Sequence, residues 1–123
     1  MSTDTPQNHL RTIQTHERYL ADMAARDPNA GCALCQKTHL QTFEHWFITE
    51  NDYPYDRVAT RHHMLVPKRH VTERELSDAE CAELMHLKES VLAAGYQHLL
   101  ESLPGTMSIP AHYHLHLMCW NSG

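Results

Sequence analysis

Residues 112 to 118 read His-Tyr-His-Leu-His-Leu-Met, three histidines at spacing two. Successive side chains of a strand point to opposite faces, so His112, His114 and His116 line one face while Tyr113, Leu115 and Leu117 enter a core. Such a row can bind a metal through neutral nitrogens, supply a nucleophile with neighbouring proton donors, or stand as polar residues on a wet face.

A second group is Cys32-Ala33-Leu34-Cys35, whose two thiolates can grip one tetrahedral ion from a single turn. A redox pair and plain buried cysteines are the alternatives. A redox CxxC normally opens a helix inside a βαβ unit, whereas Gln36 to Thr42 reads as a passage into an antiparallel sheet. The third group is Arg61-His62-His63-Met64-Leu65-Val66-Pro67-Lys68-Arg69-His70, a short apolar strand with histidine at each end. It also reads as an exposed strand and turn with Lys68 and Arg69 solvated.

The elements that must carry these groups follow from local pattern. A first helix is expected from residue 7 to about 26, with Leu10, Ile13, Leu20 and Met23 near helical spacing, until Asp27-Pro28-Asn29 stops it. Thr38 to Thr49 holds one or two strands anchored by Phe43, Trp46, Phe47 and Ile48. Asn51 to Asp56 carries turn chemistry, and His63 to Val66 is a short strand ending at Pro67. Ser77-Asp78-Ala79-Glu80 is a capping box with Leu76 as its staple, opening a long helix from about 78 to 102 that Pro104-Gly105 ends. The expected class is α+β: a small antiparallel sheet with a long helix packed on one face and an extra N-terminal helix. Residues 1–30 are read as a helical arm and 31–123 as the domain proper.

At 123 residues the chain suffices for one core. Its formal charge of −5 argues against a general polyanion-binding surface, although local histidines can hold a small anion. No apolar run approaches the roughly 18 residues of a membrane span, and Met1 to His9 is polar. A cytoplasmic protein that does not engage membranes is expected, and in that setting Cys32, Cys35, Cys81 and Cys119 point to metal binding or burial rather than disulfides.

Taken together, the CxxC, the His62–His70 segment and the alternating triad resemble the histidine triad (HIT) superfamily, which includes nucleotide hydrolases and is related to nucleotidyl transferases. The likeness covers roughly residues 32 to 120. His112 to Met118 satisfies the His-φ-His-φ-His-φ-φ signature, and His62 to His70 is similar to the family's strand ending in Pro-Lys-x-His. Asn51-Asp52-Tyr53-Pro54-Tyr55 is similar to the Asn-x-Tyr-Pro-Tyr stretch of its dinucleoside polyphosphate phosphorylase branch.

The resemblance implies a structural zinc held by Cys32, Cys35, His70 and His112. It implies His114 as the nucleophile that attacks the α-phosphorus of a nucleotide derivative, forming a covalent nucleotidyl-histidine that water or another acceptor resolves. His116 then donates to a phosphate oxygen or the leaving group, and His62 is the fourth histidine of the cluster, although a one-residue slip would put His63 in its place. Asn51 corresponds to the residue that bonds the ribose hydroxyls, or caps its own turn. Ser108 is the candidate phosphate donor. HIT proteins are commonly dimers, so a homodimer is an expectation too.

The chain also departs from the pattern. The loop between Asn51 and His62 is longer than in typical members, and Cys119-Trp120 follows the triad. Between the long helix and the triad only Leu103 to Ala111 is available, so a further strand is expected to be missing, and no cationic phosphate clamp is evident. Three readings follow: a nucleotide hydrolase or nucleotidyl transferase; a HIT-fold module that binds a nucleotide or a partner with weak or no turnover; and a catalytic metal held by the triad itself.

Overall fold

The computed structural model describes residues 10–122 apart from Thr106 and Ser108. Its centre is the apolar run around Met64-Leu65-Val66, which forms the middle of strand β3 (Ala59–Pro67). The strand is longer than the pattern suggested because turn residues give way to pairing as early as Ala59. Strands β1 (Gln41–Thr42) and β2 (Trp46–Glu50) precede it, and β4 (His98–Leu100) and β5 (Leu115–Trp120) follow. All four pairings are antiparallel, in the order β1-β2-β3-β5-β4.

Alternation along these strands divides the sheet into two faces. On one, Trp46, Ile48, Leu65, Leu115, Leu117 and the approaching Tyr113 pack with Leu87 and Leu92 of the helices. Each fully buried leucine of this layer contributes about 2 kcal/mol. On the other face Phe47, Met64 and Val66 cover Leu34. His62 of β3 and His116 of β5 share that second face.

Helix α2 (Asp78–Glu89) starts at the expected capping box: the Glu80 N–H donates to Ser77 Oγ at 3.1 Å and the Ser77 N–H to Glu80 Oε1 at 2.8 Å. The expected continuous helix to 102 does not form. Ser90, whose hydroxyl donates to the His86 carbonyl at 2.8 Å, leaves helical geometry, and a short α3 (Val91–Gly95) ends before β4. Leu99 and Leu100 pair with Leu117 and His116 of β5, so sheet hydrogen bonds displace a helix that local spacing would also allow. The strand expected to be missing is therefore present, drawn from residues assigned to the helix.

Helix α1 (Ile13–Ala25) begins later than expected. Residues 7–9 lie outside the described residues, and Thr12, in extended geometry, is the N-cap, its hydroxyl accepting from the Thr15 N–H. The apolar stripe does not enter a core: Ile13 is 74% exposed, and Leu20 and Met23 are also exposed. Polar contacts hold the helix instead. Asp56 accepts from the Thr12 N–H at 2.9 Å and from the Thr15 hydroxyl at 2.5 Å. Among the described residues no helix is long and apolar enough to cross a membrane.

Candidate functional site

The CxxC turn opens at Gly31, whose φ of +86° lies in the region glycine favours. A side chain there would meet Gln36 Nε2 at 3.2 Å. Leu34, between the cysteines, plugs the second core layer and so fixes both thiols beneath the end of β3. Cys32 Sγ lies 3.5 Å from His112 Nδ1, and Cys35 Sγ lies 3.4 Å from the same nitrogen and 3.3 Å from His70 Nδ1. All four donor atoms fall within 4.8 Å of one another.

A tetrahedral ion bound at about 2.3 Å to sulfur and about 2.0 Å to nitrogen separates those ligands by about 3.5 Å, so the spacing fits a bound metal. His112 is fully buried, and its Nε2–H donates to the Pro67 carbonyl at 2.9 Å, which leaves Nδ1 as the lone pair facing the thiols. Burial lowers its pKa and keeps it in the neutral, ligating form. Burial and the adjacent Cys32 raise the Cys35 thiol, a strain that a cation among the four groups would relieve.

The rest of the row faces another way. His112 and His114 lie just ahead of β5 and only His116 falls within it, so the row straddles a strand end rather than lying along one strand. His114, 3% exposed, has Nδ1 3.0 Å from the His112 carbonyl oxygen. A carbonyl can only accept, so Nδ1 carries the proton and Nε2 is left a lone pair.

His62 and His116 are linked by a similar rule. The Tyr55 N–H donates to His62 Nδ1 at 2.9 Å, so a neutral His62 carries its proton on Nε2. That atom lies 2.7 Å from His116 Nδ1, which must accept, and His116 therefore presents Nε2–H as a donor. Both rings are neutral at pH 7. Burial, then the His116, Arg11 and His63 charges, lower His62 to about 3; burial, then the His114 and Arg11 charges, lower His116 to about 4.

Register decides between the adjacent histidines of β3. His62 pairs with Met118 and Met64 with His116, which sets His62 diagonally beside His116, their ring centroids 4.9 Å apart. His63 points to the opposite face, bonded to the Tyr96 hydroxyl at 2.6 Å. Asn51 Oδ1 accepts from the Tyr53 N–H at 2.8 Å, the turn cap, while its Nδ2 sits 3.3 Å from His62 Nε2. Ser108 lies outside the described residues.

A cavity of about 410 Å³ opens over this face, with His114, His116, Asn51 and Tyr55 among its walls. It also takes in Arg11, Tyr19, Met23 and Arg26 from the arm and Lys37 from the CxxC loop. Sequence reasoning missed these five and expected no cationic clamp. No local pattern marks them, because Arg11 and Arg26 flank α1 at its two ends and only the docking of the arm brings them to the cavity.

No family model and no curated protein matches the chain. Solved structures do. A HIT family hydrolase from Legionella pneumophila Philadelphia 1 aligns with a TM-score of 0.52 at 21% identity, over 72% of this chain and 92% of its own. A histidine triad protein from Clostridium difficile aligns with a TM-score of 0.55 at 16% identity, over 79% of this chain and 96% of its own. With its five-stranded antiparallel sheet, α2 and α3 on one face and the His62, His114 and His116 cluster on the other, the chain shares the fold of these histidine triad structures.

Proposed function

We propose that the protein is a nucleotide hydrolase or nucleotidyl transferase that acts at the α-phosphate of a nucleotide derivative through a covalent nucleotidyl-histidine. The observation that carries this reading is the pair of opposite tautomers in one cavity: His114 with a free Nε2 lone pair and His116 with Nε2–H. One is a nucleophile and the other a hydrogen-bond donor, with ring centroids 5.4 Å apart.

The His114 Nε2 pair forms the bond to phosphorus, and the bond from phosphorus to the leaving group breaks, its electrons leaving with that group. His116 Nε2–H donates a hydrogen bond to the departing atom, which takes its proton from solvent. The imidazole now bears positive charge, and the His112 carbonyl, accepting from Nδ1–H, stabilises it. Water or another acceptor then attacks phosphorus as the phosphorus–nitrogen bond breaks, its electrons returning to His114 Nε2 and the proton of the attacking group passing to solvent, while His116 Nε2–H, oriented by the Tyr55-anchored His62, holds a phosphate oxygen. Asn51, on the cavity wall, is the candidate for the ribose hydroxyls.

We assign zinc to Cys32, Cys35, His70 and His112, since two thiols and two imidazoles form a closed four-ligand set. Such an ion supplies structure rather than chemistry, tying the CxxC turn to the approach of β5.

The test is His114→Asn. Rapid-quench incubation with a radiolabelled nucleoside phosphoramidate should trap labelled protein for the parent chain and none for the variant, with steady-state turnover at least about 10³-fold lower. A variant that turns over as fast as the parent, while folded, refutes the nucleophile.

A further inference from the structure

The described arm docks on the loop that frames the histidines. The Arg57 N–H donates to the Leu10 carbonyl at 3.0 Å, Arg11 Nε to the Tyr53 carbonyl at 2.8 Å, and the Tyr53 hydroxyl to Asp22 at 2.9 Å. Burial alone would raise the pKa of Asp56, but the hydrogen bonds from Thr12 and Thr15 outweigh it and hold the carboxylate ionised. The helix is thus latched to the site by charge-assisted bonds rather than by an apolar face.

The chain as a whole is acidic, at −5, yet among the described residues the cavity over the histidines is lined by Arg11, Arg26 and Lys37 against one carboxylate, that of Asp52. Lys37 is neutralised by Asp52 at 2.7 Å. The cationic groups that form no ion pair among the described residues, Arg11 and Arg26, belong to the arm. Arg26 spends one N–H on the Gly31 carbonyl. The Arg11 guanidinium lies 4.5 Å from the Tyr19 ring centroid and 5.2 Å from that of Tyr55, and among the described residues no carboxylate stands at ion-pair distance from it. Tyr55 in turn stacks on His116 at 5.3 Å and 26°. A fixed cation therefore sits one ring away from the group that donates a hydrogen bond to what departs.

We propose that the arm is a wall of the substrate site, and that Arg11 and Arg26 select nucleotide derivatives whose leaving group is itself a phosphate chain. The inference rests on the function proposed above and adds the class of substrate. An amine leaving group gains nothing from these guanidiniums, whereas each phosphate of a polyphosphate offers them a charge-assisted, bidentate partner.

The experiment compares kcat/KM for a dinucleoside tetraphosphate and for a nucleoside phosphoramidate in the parent, Arg11→Gln, Arg26→Gln and Arg11→Lys, alongside calorimetric binding of inorganic tripolyphosphate. The ratio of polyphosphate to phosphoramidate activity should fall at least tenfold in each glutamine variant and recover in part in Arg11→Lys. Tripolyphosphate should bind the parent and bind the glutamine variants at least tenfold more weakly. Equal losses on both substrates, or tripolyphosphate binding unmoved by both substitutions, overturns the inference. A parent chain that binds tripolyphosphate through these arginines but never labels His114 leaves the arm's selectivity for phosphate standing and defeats the proposed reaction instead.

Discussion

Arg69 grips Glu80 with two N–H groups, Nη2 at 2.6 Å from one carboxylate oxygen and Nε at 3.1 Å from the other. Glu80 is only 2% exposed, and the same carboxylate closes the cap of α2. Its main chain carbonyl accepts from the Trp46 indole at 2.9 Å. Arg69 directly precedes His70, so the first turn of the helix, the sheet and one candidate metal ligand meet at a single residue, Glu80.

Glu80→Gln should therefore weaken more than a helix cap. The Arg69 hydrogen bonds, chief among the causes, with help from Ser77 and against burial, lower this carboxyl to about 2. A depressed carboxylate contributes stability that is present above its unfolded value, near pH 4.5, and is lost as pH falls toward 2. The variant should lose about 2 kcal/mol at pH 7, and the difference from the parent should shrink in acid, as read by denaturant unfolding across pH.

Metal removal is the second expectation. Cys32→Ser, or chelation of the parent, should release close to one equivalent of zinc per chain and lower stability by ~3 kcal/mol, about 10 °C in Tm. Metal analysis beside thermal unfolding checks this. A Cys81→Ser control should keep its metal, because Cys81 lies outside the four-ligand group.

Acidification below the metal question has its own signature in the cavity. His62 and His116 stay neutral down to about 3 and about 4, whereas the unfolded chain protonates its histidines near 6.5. Between those limits the unfolded state binds more protons, so stability rises with pH up to about 6.5 and falls below it. Combining His62→Gln with His116→Gln should flatten the fall of Tm between about pH 6.5 and 4 relative to the parent; an unchanged slope rules out these rings as its source.

His116→Gln separates stabilisation of the departing group from binding. Removing one donor aimed at developing charge costs about 10²–10³ in rate, and a departing amine nitrogen concentrates on one atom the charge that a phosphate chain spreads over several oxygens. The variant should lose more kcat on a phosphoramidate than on a polyphosphate, while KM moves little.

Much of this arrangement was legible before any coordinates. The period-two row gave its two faces, since one set of side chains had to be apolar to cover a sheet. Ser77 and Glu80 announced the start of α2 through a bond that spans only three residues. The choice between His62 and His63 was not local, because it depends on pairing with Met118. Nor was the end of the helix: Leu99 and Leu100 satisfy helical spacing, and only the later arrival of β5 makes them a strand. The arm was furthest from reach. Its position rests on Thr12 and Thr15 meeting Asp56 across more than forty residues, and polar latches leave no hydrophobic period to read.

The proton positions of the histidine row are written in peptide groups. His114 is set by the carbonyl of His112 and His62 by the amide of Tyr55, where a side-chain partner could have served. A carboxylate in either place would be erased by one substitution and would add a charge that titrates. A peptide group does neither, and of the two only the amide can be deleted, by proline alone. Tyr55→Phe should leave the row's tautomers intact, while Tyr55→Pro, which also strips the ring packed on His62 and His116, frees His62 to turn its proton around and silences the His116 donor.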